Sequence, residues 1–213
     1  MSTPSRDWYA WHAPYDEPGS PRHRRLRIVQ GHIRAWLGER AGRSPRVVSA
    51  CAGQGRDLIE VLAGAPDGAA VRARLIELDR RNVDVARRTA RDAGLAGVEV
   101  VCADAGLTDA YVGAVPADLV LMCGVFGNIS DGDVRRTVGH LPQLCAPDAT
   151  VIWTRTRRSP DLTPAIRSWL RLARFVERSF DAPADALFSV GVHRFAGAPQ
   201  PVAPGRRMFE FVT

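Results

Sequence analysis

Apolar residues along the chain form short continuous runs that alternate with longer amphipathic stretches. The runs are rich in valine, isoleucine and leucine and predict strands at 46–51, 72–78, 98–103, 117–123 and 149–154. Between them apolar positions recur every three or four residues, which predicts helices at about 56–64, 80–93, 131–141 and 161–173. Such an alternation specifies an α/β fold, with a doubly wound parallel sheet between two layers of helices.

The two ends of the chain differ from this pattern. An irregular stretch rich in aromatic residues runs to about residue 19, and Ser20 followed by proline then predicts a capped helix that ends near Glu39. We therefore predict an N-terminal cap over residues 1–43 and a ligand-binding domain over 44–213. At the C-terminal end three strand-like segments follow one another without a helix between them, at 175–180, 189–195 and 208–212.

A glycine turn follows the first predicted strand. Gly53 and Gly55 stand directly after the apolar run, and a helical pattern begins at once behind them. Glycine lets the backbone turn sharply and lets a ligand approach without a Cβ in the way. The next two strands end in acidic residues, Glu77 and Asp104. Parallel strands carry their carboxyl ends to one edge of the sheet, so these residues are expected to face one crevice.

This order of a glycine turn and two acidic strand ends resembles the class I S-adenosylmethionine-dependent methyltransferases, over roughly residues 44 to 195. The resemblance implies a Rossmann-like, mostly parallel seven-stranded sheet that ends in an antiparallel hairpin, with an N-terminal helical cap. It implies S-adenosylmethionine as the cofactor, with S-adenosylhomocysteine as its product.

In that family the glycine turn faces the methionine part of the cofactor, the acid after the second strand holds the ribose hydroxyls, and the acid after the third reads the adenine amine. Carried over, these roles fall to Gly53 and Gly55, to Glu77 and to Asp104. A carboxylate suits both acidic roles, because it accepts two hydrogen bonds from a vicinal diol or one from an exocyclic amine. The resemblance also places these neighbouring residues around the cofactor: Cys51, Ala52, Asp57, Leu78, Ala105, Cys123, Gly124 and Val125.

Two positions depart from the family pattern. Ser49 stands where the family usually has an acid, and Cys51 stands where it has a glycine. Loss of the acid leaves open how the cofactor's ammonium group is neutralised, with Asp16 and Asp57 as the two candidates. A nicotinamide-dinucleotide fold is the competing interpretation, and Leu58 in place of the third glycine of G-x-G-x-x-G argues against it.

The acceptor is expected near the ends of the first and fourth strands, where ligands bind in open α/β sheets. The loop after the fourth strand carries Phe126 and Asn128 as candidate contacts, although Phe126 is equally consistent with the core. Arg155, read as lying just past the fifth strand, is a candidate for an acidic substrate or for a salt bridge.

The aromatic N-terminal segment is the expected lid of this site. Exposed tryptophan and tyrosine side chains are costly unless they pack on something, and packing on the first helix is one alternative. The resemblance to small-molecule methyltransferases, whose N-terminal segment closes over the cofactor, implies instead that Trp11, Tyr15 and Asp16 lie near the pocket. His12 lies among these aromatic residues. Because histidine titrates near neutral pH, it is the candidate general base.

The basic composition raises a nucleic-acid alternative. The chain carries a net charge of +6 and a pI of about 9.9, and its 29 basic residues are all arginine. The arginines are spread along helix faces beside acids, and the loop after the fourth strand lacks the Asn/Asp-Pro-Pro-aromatic motif of enzymes that methylate base amines. Both observations argue against nucleic acid as the partner.

The remaining composition narrows the class. The four cysteines contain no C-x-x-C pair, which predicts reduced thiols and no metal site. The sequence has no run of about 18 apolar residues and no apolar leader, so we expect a cytoplasmic protein without a membrane span. The leading hypothesis is a bacterial-type methyltransferase of specialised metabolism that alkylates an O, N or C atom of a small molecule. An RNA methyltransferase and a catalytically silent cofactor-binding protein are the alternatives, and the sequence leaves open whether the chain forms a homodimer.

Overall fold

The computed structural model describes residues 7–212, so residues 1–6 of the predicted N-terminal cap and Thr213 lie outside the described residues. Within residues 7–212 seven strands form one sheet, in the order β3-β2-β1-β4-β5-β7-β6. β1 to β5 are parallel to one another, and β7 runs antiparallel to both β5 and β6. The strands are β1 Arg46–Ala50, β2 Arg72–Glu77, β3 Val98–Cys102, β4 Ala117–Met122, β5 Cys145–Thr156, β6 Phe175–Asp181 and β7 Phe188–Phe195. The predicted α/β fold class, mostly parallel sheet and C-terminal antiparallel hairpin are confirmed.

In the described part of the chain, five α-helices connect or precede these strands. Ser20 caps the first of them as predicted, because its Oγ accepts a hydrogen bond from the backbone N–H of His23 at 3.1 Å. Gly94, with φ of +69°, follows the third helix and ends it. The helices are α1 Pro21–Gly38, α2 Ile59–Ala63, α3 Arg80–Asp92, α4 Asp131–Leu144 and α5 Thr163–Leu172. No helix within the described residues has the length and apolar character that crossing a bilayer requires.

The sheet separates two hydrophobic cores. One core packs α1, α2 and α3 against the sheet, and the other packs α4 and α5 against the opposite face. β4 contributes to both, since Leu119 and Leu121 point into the first core while Val120 and Met122 point into the second. Burial on both faces is why this strand is a continuous apolar run.

Two segments differ from their predictions. The N-terminal stretch, expected to be irregular, forms a 3₁₀ helix at Ala10–Asp16. The third C-terminal segment, 208–212, is not a strand of the sheet. The chain there crosses the carboxyl ends of the parallel strands and forms only isolated β-bridges, between Leu107 and Arg207 and between Ile129 and Phe211. This crossing brings C-terminal side chains to the edge of the sheet where the glycine turn lies.

The pairing of β5 with β7 predicts one sensitive position. Gly191 lies opposite Trp153, and a Cβ there would lie 2.5 Å from Trp153 Cζ2, inside a fully buried indole. Gly191→Ala should therefore lower the free energy of unfolding by about 1–3 kcal/mol through overpacking. Gly139→Ala is the matched control, because Gly139 is an exposed position of α4 with nothing within 4 Å of its Cβ position, and alanine favours helix. Denaturant unfolding measures both, and equal stabilities of the two variants would contradict the prediction.

Candidate functional site

The turn after β1 adopts left-handed backbone at three alternate residues. Cys51, Gly53 and Gly55 have φ of +50°, +55° and +72°. A Cβ on Gly55 would lie 2.8 Å from Leu75 Cδ2, so this glycine is required for packing of the turn on the sheet. Cys51 holds a conformation that non-glycine residues adopt only at a cost. Burial, followed by the nearby Glu77, raises the pKa of its thiol well above the usual value, which makes Cys51 an inert thiol.

A cavity of about 690 Å³ opens at this edge of the sheet. Both strand-end acids, Glu77 and Asp104, line it together with Asp57, so the three carboxylates share one crevice. The other predicted site residues that line it are Trp11, His12, Tyr15, Cys51, Ala52, Gly53, Leu78, Ala105, Cys123, Gly124 and Asn128. Residues that the sequence did not single out complete the wall, among them Trp8, Arg25, Asn82, Arg207, Phe209 and Phe211.

Glu77 connects the turns after β1 and β2. Its Oε2 accepts a hydrogen bond from the backbone N–H of Gly53 at 2.9 Å, and its Oε1 accepts one from the N–H of Asp79 at 2.8 Å. The residue is 8% exposed, and burial raises the pKa of its carboxyl while these N–H donors oppose the rise. Each carboxylate oxygen carries two lone pairs, so the group keeps acceptor capacity for a ligand.

Asp104 lies in a more open part of the same cavity. Its Oδ1 accepts a hydrogen bond from the N–H of Gly106 at 2.8 Å, and its Oδ2 pairs with Arg207 Nη1 at 3.0 Å. Arg207 reaches this position from the C-terminal crossing segment. The sequence could not place it, because the ion pair joins residues about a hundred positions apart in the chain.

Asp57 is the acid with the most unusual surroundings. Its Oδ1 is sealed from water and has no hydrogen-bond partner among the described residues. Burial raises the pKa of this carboxyl to about 6. Asp16, the other candidate for the missing acid, does not line the cavity, and its exposed carboxylate pairs with Arg56. Of the two candidates, only Asp57 lines the cavity, and it forms no ion pair with a described residue, although the charge of Arg25 lowers the pKa of its carboxyl in part.

The aromatic segment covers the cavity as a cluster. Trp11 packs against Tyr15 at 5.8 Å between ring centroids, and Trp8 packs on Phe211 of the crossing segment at 5.0 Å. His12 Nδ1 lies 2.8 Å from the carbonyl oxygen of Trp8, which can only accept, so Nδ1 carries the proton. Burial lowers the pKa of His12, so its ring is neutral near pH 7 and Nε2 is an acceptor. Nε2 lies directly over Gly53, where any Cβ would overlap it.

Five predicted site residues do not line this cavity. Gly55 packs the turn, and Asp16 is outside on the surface. Val125 and Phe126 are fully buried in the core, where Phe126 packs on Trp153 at 6.0 Å, so the core interpretation of Phe126 is the correct one.

Arg155 is the fifth of these residues. It lies within β5 rather than past its end, because the strand extends to Thr156. Its guanidinium donates to the carbonyl oxygen of Phe126 and pairs with Asp131 at 3.1 Å, as the salt-bridge alternative required.

A second cavity of about 860 Å³ adjoins the first. The two share four lining residues, Trp11, Arg25, Gly124 and Asn128. Gly124, with φ of +77°, stands at the end of β4, and its N–H donates to Thr154 Oγ1 at 2.8 Å. This boundary lies where ligands of open α/β sheets meet, outside the carboxyl ends of the central strands.

No family model and no curated protein matches the sequence. Solved structures do match, first an O-methyltransferase family protein from Burkholderia thailandensis with 18% identity and a TM-score of 0.66, covering 89% of this chain and 59% of that one. The chain thus spans less than two thirds of that protein.

Two further solved structures match over nearly their whole length. Magnesium protoporphyrin IX methyltransferase (ChlM) from Synechocystis PCC 6803, with bound SAH, shows 14% identity and a TM-score of 0.66, covering 87% of this chain and 92% of that one. The 1,6-didemethyltoxoflavin-N1-methyltransferase of Burkholderia thailandensis shows 18% identity and a TM-score of 0.63, covering 92% and 94%. An RNA methyltransferase from Salinibacter ruber also matches, with a TM-score of 0.51. At these identities the likeness establishes the fold: the chain has the fold of the class I S-adenosylmethionine-dependent methyltransferases.

Proposed function

We propose that the protein is an S-adenosylmethionine-dependent methyltransferase that acts on a small-molecule acceptor. The observation that carries this proposal is that Glu77, Asp104 and Asp57 line one cavity beside a left-handed glycine turn. The ligand has a diol, an amine on its base and an ammonium group, and one carboxylate is available for each.

The adenosine part is assigned to the Glu77 and Asp104 end of the cavity. Glu77 is held rigidly by two backbone donors, so its remaining lone pairs are oriented before a ribose diol arrives. Asp104 keeps a partly exposed carboxylate beside Arg207 for the adenine amine. Leu78 is 67% exposed although it is apolar, and it lines the same region, which suits a face that a flat base would cover.

The methionine part is assigned to the Asp57 end. A positively charged ammonium near Asp57 would give its buried Oδ1 the hydrogen-bond donor that it lacks among the described residues, so that Asp57 serves in place of the acid missing at Ser49. Arg25 lines the same end and donates to the hydroxyl of Tyr15 at 2.5 Å, which leaves further N–H donors for the α-carboxylate of the ligand. We place His12 against the cofactor rather than the acceptor, because it lines the first cavity and not the second.

The chemistry asked of the protein is positioning. The cofactor supplies the activated methyl group when it is bound. The residues of the chain must orient it, exclude water and hold an acceptor atom in line with the methyl carbon. The second cavity opens next to the first at Gly124, and its volume of about 860 Å³ lies in the range that suits a small molecule.

Binding of the product S-adenosylhomocysteine tests the assignment of the carboxylates. Glu77→Gln and Asp57→Asn should each weaken binding about tenfold or more, because each removes a charged acceptor. Isothermal titration calorimetry measures the affinity, after thermal melting has shown that each variant is folded. Glu99→Gln and Asp84→Asn are the matched controls, because both residues are exposed and neither lines the cavity. Wild-type affinity in both site variants, or no binding by the wild type, would refute the proposed function.

The raised pKa of the Asp57 carboxyl predicts that this residue lowers the free energy of unfolding when no ligand is bound. A folded-state pKa of about 6, above the usual 3.8, means that stability falls as pH rises through this range. Without ligand, Asp57→Asn should therefore be about 2–3 kcal/mol more stable than wild type at pH 8 and nearly equal to it below pH 4. Denaturant unfolding at both pH values measures this, and a stability difference that does not change with pH would contradict it.

The same residue predicts the pH dependence of binding. An ammonium beside Asp57 favours the ionised carboxylate, so the affinity of wild type for S-adenosylhomocysteine should fall as pH drops below about 6. Titrations near pH 6 in buffers of different ionisation enthalpy should show net proton release on binding. Asp57→Asn should release fewer protons than wild type does.

A further inference from the structure

Arginine dominates the lining of the second cavity. Four arginines, Arg22, Arg25, Arg155 and Arg158, face it, and Asp185 is the single acidic residue of its described lining. We call it the arginine cavity.

The carboxylates at or near the arginine cavity are already engaged. Asp185 is bound by Arg24, with both guanidinium-to-carboxylate distances at 3.0 Å. Arg155 is paired with Asp131. Arg25 and Arg158 have no ion pair with any residue between 7 and 212. Arg158 and Arg25 therefore carry positive charge that no carboxylate in the described wall of this cavity pairs with, although the charge of Arg25 also acts on Asp57 in the first cavity.

Aromatic packing fixes part of this charge at the boundary between the two cavities. The guanidinium of Arg22 lies 4.3 Å from the ring centroid of Trp11 and donates to the carbonyl oxygen of Trp11 at 2.9 Å. Arg25 lines both cavities, so it lies within reach of either ligand. Gly124 stands between them, with its Cβ position 3.9 Å from Trp11 Cη2.

The described lining of the arginine cavity contains no general base suited to neutral pH. It has no histidine, cysteine, tyrosine or lysine. Its one carboxyl, Asp185, is held by Arg24, whose hydrogen bond and charge lower the pKa of the Asp185 carboxyl below its usual range. An acceptor bound there must therefore carry a free electron pair before it binds, because no side chain of this lining can remove a proton from it at neutral pH.

We propose that the methyl acceptor is a small organic anion, a carboxylate or phosphate, held in the arginine cavity by Arg22 and Arg158, with Arg25 at the boundary to the first cavity. This inference rests on the proposed function. The reacting atom of the acceptor forms its bond to the methyl carbon with its own electron pair while the carbon–sulfur bond breaks, and the pair of that bond stays on sulfur. A carboxylate oxygen that reacts in this way becomes a neutral methyl ester, and no proton has to move.

Matched anionic and neutral probes test the inference. The full chain, saturated with S-adenosylhomocysteine at low salt, is titrated with indole-3-acetate, benzoate and phenyl phosphate, and with indole-3-acetamide, benzamide and phenol, with binding followed by ligand-observed NMR. We expect each anion that binds to bind about fivefold or more tightly than its neutral partner, since a carboxylate or phosphate gains ion pairs with exposed guanidinium groups that its neutral partner cannot form. Arg158→Gln and Arg22→Gln should reduce that preference. Arg88→Gln, on the exposed face of α3 and outside both cavities, should leave it unchanged.

Each outcome either supports the inference or overturns it. An anion preference that falls in Arg158→Gln and Arg22→Gln and stays in Arg88→Gln supports the inference. No preference for any anion, or a preference that both site variants keep, overturns it. A twelve-nucleotide single-stranded RNA is the third type of probe: if it binds at least tenfold more tightly than phenyl phosphate through the same arginines, RNA replaces the small anion.

The failure of this inference is separable from that of the proposed function. If S-adenosylhomocysteine binds in dependence on Glu77 and Asp57 while no anion is preferred, the proposed function stands and the acceptor class is wrong. If S-adenosylhomocysteine does not bind, both are wrong, whatever the anions do.

Discussion

The carboxylate of Glu77 is the interaction on which the site depends. It accepts one hydrogen bond from the turn after β1, at Gly53, and one from the turn after β2, at Asp79, and so fixes two neighbouring strand ends relative to each other. Burial raises the pKa of this carboxyl, and the two N–H donors offset part of that cost. Because the carboxylate is already oriented, little conformational entropy remains to be lost when a ligand hydroxyl binds to it.

The two adjoining cavities have opposite unpaired charges. In the first, Glu77 and Asp57 have no ion-pair partner among the described residues, whereas Asp104 is paired with Arg207. In the second, Arg158 has no ion pair among residues 7–212, whereas Arg25, which also forms none, lines both cavities and acts through its charge on Asp57. This division suits a cationic methyl donor beside an anionic acceptor, because transfer between them removes charge from both. The raised pKa of Asp57 is then a cost to stability that the binding of a cation would reverse.

The sequence predicts those features of the fold and the site that depend on residues close together in the chain. The continuous apolar run of β4, the Ser20 cap and the sharp glycine turn after β1 are local features, and the structure contains all three. Arg207 and Phe211 could not be predicted as cavity residues, because the crossing of the C-terminal segment over the strand ends depends on contacts with residues far away in the chain. Phe126 was ambiguous for a related reason, since a buried aromatic and a ligand-facing one look alike in a loop of small residues.

Gly53 shows where a correct motif received an incomplete physical reason. The sequence suggests that the missing Cβ makes room for a ligand, but the space above Gly53 is taken by the imidazole of His12. The same glycine therefore serves the lid, because any side chain there would displace His12 and with it the carbonyl of Trp8 that holds its Nδ1 proton. A cavity of about 690 Å³ remains with His12 in its wall. The glycine turn thus determines both the floor of the cavity and the seating of the segment that closes it, and for this reason a substitution at Gly53 would change two properties at once.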